Sequence, residues 1–106
     1  MEVTILGCGT WGSAVAQLLA DKDVTVTAWQ RHKEKATAMT RTRKHPNLAD
    51  LEFNENIVFT NDLKDALRIG NIIILAIPSH SIRELIRRVE SGMKSKSIIV
   101  NLAKGI

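Results

Sequence analysis

At 106 residues, with 44% hydrophobic and 25% charged side chains, the chain has the ordinary composition of one globular domain large enough to bury a core. A lone cysteine excludes an internal disulfide and makes a reducing compartment, the cytoplasm, the expected location. No apolar run nears the ~20 residues of a membrane-spanning helix, and Met1-Glu2-Val3-Thr4 enters a strand with no signal-peptide pattern. The formal net charge is +4, and the basic residues crowd together. Arg31, Lys33, Lys35, Arg41, Arg43 and Lys44 are opposed only by Glu34. Such a patch suits a phosphorylated ligand. The plainer reading, a solvated helix face, is the expectation for all of them except Arg31. Nucleic-acid binding ranks well below both, because no RNA-binding motif or interleaved aromatics accompany the charge.

Glu2 to Leu6 reads as a first strand, and Trp11 to Ala20 as a helix. Trp11, Ala14, Val15, Leu18 and Leu19 recur at helical spacing and predict its buried face. Val24 to Trp29 alternates and is rich in β-branched residues, which predicts a second strand. His32 to about Arg43 predicts a polar helix with a thin apolar stripe of Ala36, Met39 and Thr40, broken by His45-Pro46-Asn47. Leu48 to Asn56 reads as an irregular loop and Ile57 to Phe59 as a short strand. A brief helix follows from Asp62 to Arg68, capped by Thr60 or Asn61, with Leu63, Ala66 and Leu67 inward and Gly70 at its end. Asn71 to Ile77 is continuously apolar, as a strand buried on both faces must be. Pro78 and Ser79 open a helix whose buried face is Ile82, Leu85, Ile86 and Val89, and Ser97 to Leu102 is the last strand. Strands alternating with helices predict an α/β fold: a Rossmann-type, doubly wound parallel sheet of five strands in the order 3-2-1-4-5, spanning residues 1–106. A ligand crevice then lies beyond the strand ends at Gly7, Gln30, Ile77 and Ala103.

Gly7-Cys8-Gly9-Thr10-Trp11-Gly12 sits where the first strand meets the first helix. The pattern is weak alone and mechanistic in that position. Gly7 allows the tight turn, Gly9 lets a pyrophosphate approach the backbone, and Gly12 lets helix and strand pack closely. Free N–H groups of the first helical turn then face the phosphates. The competing reading is a glycine-rich turn without a ligand. An NAD-selective site usually carries Asp or Glu at the end of the second strand. Trp29, Gln30 and Arg31 stand there instead. A carboxylate would repel a 2′-phosphate, whereas Arg31 with His32 or Lys33 could pair with it. The expected cofactor is NADP or NAD, with NADP accepted. Alternatively, the Arg31 guanidinium stacks on the adenine and serves both.

These residues resemble the N-terminal part of the bacterial type of NAD(P)-dependent glycerol-3-phosphate dehydrogenase. The likeness runs through Gly7 to Ala14, Ala28-Trp29-Gln30-Arg31, Glu55-Asn56-Ile57, Thr60-Asn61-Asp62-Leu63, Ala76-Ile77-Pro78-Ser79 with Arg83, and Lys104-Gly105-Ile106. The resemblance implies an oxidoreductase that moves hydride between NAD(P) and C2 of glycerol 3-phosphate, with dihydroxyacetone phosphate as the other partner. It implies that Thr10 and Trp11 meet the pyrophosphate, Arg31 and His32 the adenosine end, and Pro78 the nicotinamide half. Lys104 would lie where cofactor and substrate meet, paired with a phosphate or an oxyanion; the alternative for Lys104 is a solvated terminal lysine. Two departures stand out. Cys8 replaces the family's more frequent alanine and reads as a spacer, not a nucleophile. Near His45 to Asp50, where the family usually shows a tyrosine-leucine-proline run, this chain reads Pro46-Asn47-Leu48-Ala49-Asp50, so the resemblance carries over no contact from that loop. The family continues into a helical substrate domain that this chain lacks, so the chain is expected to bind cofactor without turnover.

The alternatives are a non-catalytic nucleotide-sensing module and the cofactor domain of a 6-phosphogluconate- or ketopantoate-type dehydrogenase. A catalytic role for His80 is conceivable by position, but a capping or solvent-facing histidine is commoner. No metal-ligand spacing is present. The last strand, Ser97 to Leu102, leaves a bare apolar edge, which predicts self-association.

Overall fold

The computed structural model describes residues 1–77, 82–92 and 98–101. The elements are β1 (Glu2–Leu6), α1 (Thr10–Ala20), β2 (Thr25–Trp29), α2 (Lys33–Thr42), β3 (Ile57–Thr60), α3 (Leu63–Ile69), β4 (Ile72–Leu75), α4 (Ile82–Gly92) and β5 (Ile98–Asn101). The sheet runs β3-β2-β1-β4-β5, and every pairing is parallel. This is the predicted order, and it follows from the sequence. Each of the strands β1 to β4 is followed by a helix that must return the chain to the same end of the sheet. The chain reverses its winding between β1 and β4, which pair from Val3 opposite Ile72 to Leu6 opposite Leu75.

Because side chains alternate along a strand, β1 feeds two cores. Val3 and Ile5 pack with Ala16, Ala20, Val26, Met39, Phe53 and Ile57 on the face covered by α1 and α2. Leu6 packs with Leu63, Leu67, Ile73, Leu85 and Val89 on the face covered by α3 and α4. Thr4 is fully buried, and its hydroxyl donates to the Ala66 carbonyl at 2.6 Å, so this polar residue on a core strand has its partner.

Three expectations are corrected. The buried face of α1 is Gly12, Ser13, Ala16 and Ala20. Trp11 and Leu18 of the predicted face are 51% and 59% exposed, Ala14 is exposed, and only Val15 and Leu19 lie partly against the core. Close approach to the sheet requires small side chains, and the bulky residues are turned outward by the same rotation. The second correction is the start of α3. Asp62, not Thr60 or Asn61, caps it: its carboxylate accepts from the Asp65 N–H at 3.1 Å. Thr60 acts one step earlier, its hydroxyl accepting from the Asp62 N–H at 3.0 Å. The predicted inward residues Ala36, Met39, Leu63, Ala66, Leu67, Leu85 and Val89 are buried. Thr40 is exposed, and its hydroxyl donates to the Ala36 carbonyl.

Candidate functional site

The turn after β1 is built by its glycines. Gly7 has φ +123°, a conformation that side chains disfavour, and a Cβ there would lie 2.4 Å from the Ala76 carbonyl oxygen. A Cβ on Gly12 would lie 2.1 Å from the Gly7 carbonyl oxygen, so α1 can start this close to the turn only with glycine. At Gly9 the corresponding position has no atom within 4 Å. It opens on free space, as the approach of a pyrophosphate requires.

Gly9 is the N-cap of α1 and its carbonyl takes the Ser13 N–H at 2.9 Å. No side chain caps this end. The N–H groups of Thr10, Trp11 and Gly12 therefore have no acceptor among the described residues. Three adjacent amides at a positive helix end are suited to an anion. Cys8 lies beneath the turn. It is buried, it donates through Sγ to the Trp29 carbonyl at 3.3 Å, and burial pushes its thiol up to about 12. A thiol held protonated is a spacer, as expected, and not a nucleophile.

Above this turn lies a cavity of about 990 Å³. Its floor is the ends of β1, β2 and β4, represented by Gly7, Trp29, Gln30, Ala76 and Ile77. This is the switch point of the sheet, where open α/β folds place ligands. Of the predicted contacts, Gly7, Gly9, Thr10, Arg31 and His32 line the cavity. Gly12 is buried below the turn, and Trp11 stands half-exposed at the head of α1, outside the lining. Pro78 and Lys104, like Ser79 and His80, lie outside the described residues.

The far wall contains residues the sequence reading missed. One face of α2 brings Lys35, Ala38, Met39 and Thr42 to the cavity, and the following loop adds Lys44, His45, Pro46, Asn47 and Ala49. The signal was available in the spacing of Lys35, Met39 and Thr42, which puts them on one helical face below Arg31. The basic cluster is thus divided. Arg31, His32, Lys35 and Lys44 face the cavity, and no carboxylate lines it among the described residues. Arg43, expected to be solvated, is structural. It closes α2 in the left-handed conformation, donates to the carbonyls of Asn54 and Ile57, and lies 5.4 Å from the centre of the Phe59 ring. Among the described residues no group of acidic, histidine or cysteine side chains could hold a metal ion, and no helix is long and apolar enough to cross a membrane.

A five-stranded doubly wound sheet with an uncapped helix at a glycine turn defines a Rossmann-type domain. Residues 2–106 match the family described as NAD-dependent glycerol-3-phosphate dehydrogenase N-terminus. The chain belongs to that family. It is 35% identical over 106 residues to a glycerol-3-phosphate dehydrogenase [NAD(P)+] of Thermoanaerobacter sp. (strain X514), covering 100% of this chain and 32% of the relative. Another of that name, from Carboxydothermus hydrogenoformans, is 35% identical over 107 residues and is likewise covered over 32% of its length. The fold superposes on glycerol-3-phosphate dehydrogenase from Coxiella burnetii with a TM-score of 0.88 and 29% identity, covering 98% of this chain and 34% of that one. The chain spans about a third of the length of these relatives.

Proposed function

We propose that the cavity holds a nicotinamide dinucleotide, NADP or NAD, with its pyrophosphate on the free amides of Thr10, Trp11 and Gly12. The observation that carries this reading is the conjunction of those amides with the open space at Gly9. The adenosine end then extends toward Arg31 and His32. Lys35 and Lys44, which also line that wall, add positive charge for a 2′-phosphate. Gln30 does not compete, since its side-chain oxygen accepts from the His32 N–H at 3.3 Å. By family likeness Pro78 serves the nicotinamide half, and Lys104 the junction of cofactor and phosphorylated substrate.

In this reading the chain is the cofactor-binding part of an oxidoreductase interconverting glycerol 3-phosphate and dihydroxyacetone phosphate. The bound nicotinamide supplies or accepts the hydride, and this chain's residues bind and orient it. Hydride transfer needs cofactor and substrate held together in reactive geometry, so the chain alone binds without turnover. The buried, protonated Cys8 is in keeping with a cytoplasmic protein. Self-association through β5 belongs to the same proposal, because Ile98, Ile99 and Val100 are all exposed on that strand.

Titration calorimetry of the chain with NADPH and NADH, repeated with Arg31→Ala, tests the assignment. Saturable binding of both is expected, with NADPH weakened roughly tenfold by the substitution and NADH much less. Unchanged NADPH affinity in Arg31→Ala would remove Arg31 from the phosphate contact.

A further inference from the structure

The loop after α2 reaches back to the glycine turn. The Asn47 side-chain amide donates through Nδ2 to Thr10 Oγ1 at 3.2 Å, across 37 positions of sequence. Both residues line the same cavity. The loop holds Asn47 in place by its own bonds. His45, 9% exposed, accepts the Asn47 N–H on Nδ1 at 3.0 Å. The Leu48 N–H donates to the His45 carbonyl at 3.0 Å, and Lys44 Nζ donates to the Ala49 carbonyl at 3.3 Å. Asn47 is therefore held by backbone and buried-ring contacts within its own loop.

A threonine hydroxyl has one proton to give and two lone pairs to receive. With the Asn47 amide on one of those lone pairs, the Thr10 hydroxyl proton points away from Asn47 and is left to donate. Thr10 is the first residue of α1, beside the free amides of the same turn. We propose that Asn47 is a positioning residue for the dinucleotide pyrophosphate: through its bond to Thr10 Oγ1 it directs the Thr10 hydroxyl proton onto a phosphate oxygen. This rests on the dinucleotide reading above and adds to it. It assigns a role to the loop in which this chain departs from the tyrosine-leucine-proline run of the family it resembles. Asn47 acts through Thr10 and adds no charge, so its effect is independent of the 2′-phosphate.

A double-mutant cycle tests this with NADPH and NADH as the probes. Thr10→Val keeps the branched shape and removes the hydroxyl; Asn47→Ala removes the amide. Each alone weakens both cofactors, Thr10→Val by roughly tenfold and Asn47→Ala by several-fold. In the Thr10→Val background, Asn47→Ala changes affinity by less than about twofold, because its effect passes through the missing hydroxyl. In the Thr10→Ser background, which restores the hydroxyl, the full Asn47→Ala loss returns. Thermal unfolding midpoints matching the parent chain show that the loop is intact. Losses that multiply in the Thr10→Val background overturn the proposal and make Asn47 a separate contact. So does an Asn47→Ala affinity equal to the parent's. If the parent chain binds neither NADPH nor NADH, the dinucleotide reading fails, and this inference falls with it.

Discussion

Cys8, which lines the cavity, and Gly12, which does not, show how single positions in the turn support a site without bringing it a reactive group. The Cys8 thiol is pushed up to about 12 from 9.0 by burial. The unfolded chain therefore loses this proton at lower pH than the folded one. The stabilisation is complete below about pH 9 and declines as pH rises toward 12, at ~1.4 kcal/mol per pH unit. Folded protein at pH 8 should leave Cys8 unreactive toward a thiol reagent such as Ellman's reagent, with full reaction in denaturant. Rapid labelling without unfolding would contradict the burial. Gly12 is governed by the Gly7 carbonyl oxygen 2.1 Å from its missing Cβ. Gly12→Ala should destabilise by about 3 kcal/mol or more, read as a lowered denaturant midpoint, and should weaken dinucleotide binding by displacing the turn.

At the scale of elements, α1 buries only small residues fully against the sheet and leaves two of its bulkiest outside. Its sheet side is Gly12, Ser13, Ala16 and Ala20, and its outer side carries Trp11, Ala14 and Leu18. Leu18→Gln should change stability by no more than about 0.5 kcal/mol, whereas Ala16→Leu should cost about 1–3 kcal/mol. Urea unfolding of the two variants separates the faces, and the reverse order would contradict them. This helix also shows why its buried side was misread from sequence. Hydrophobic spacing weights bulky residues, and a helix pressed onto a sheet by a glycine turn buries those with the least side chain. The strands were readable because β1, β2 and β4 carry their own apolar character, and the order followed from the alternation with helices. The glycine turn was readable because its spacing and its place between strand and helix coincide. The α2 wall of the cavity was not, because Lys35 and Lys44 are as polar as any solvated residue. Only the path of the chain shows that these exposed residues border the cavity.

At the scale of the whole molecule, β5 is the outermost strand on one side of the sheet among the described residues, and its Ile98, Ile99 and Val100 are 61%, 41% and 38% exposed. Among the described residues β5 pairs with β4 alone. The chain should self-associate with rising concentration, and Ile99→Lys should shift it toward monomer in sedimentation equilibrium. A monomer at high concentration in the parent chain would rule this edge out as a contact.

The central claim is that unpaired amides at the head of α1 receive a pyrophosphate. An NMR titration of labelled chain with NADPH tests it residue by residue. The account predicts saturable shifts largest at the amides of Thr10, Trp11 and Gly12, with further shifts at Arg31 and Lys35. Saturation with those three amides unmoved, or no saturable change at all, would contradict it.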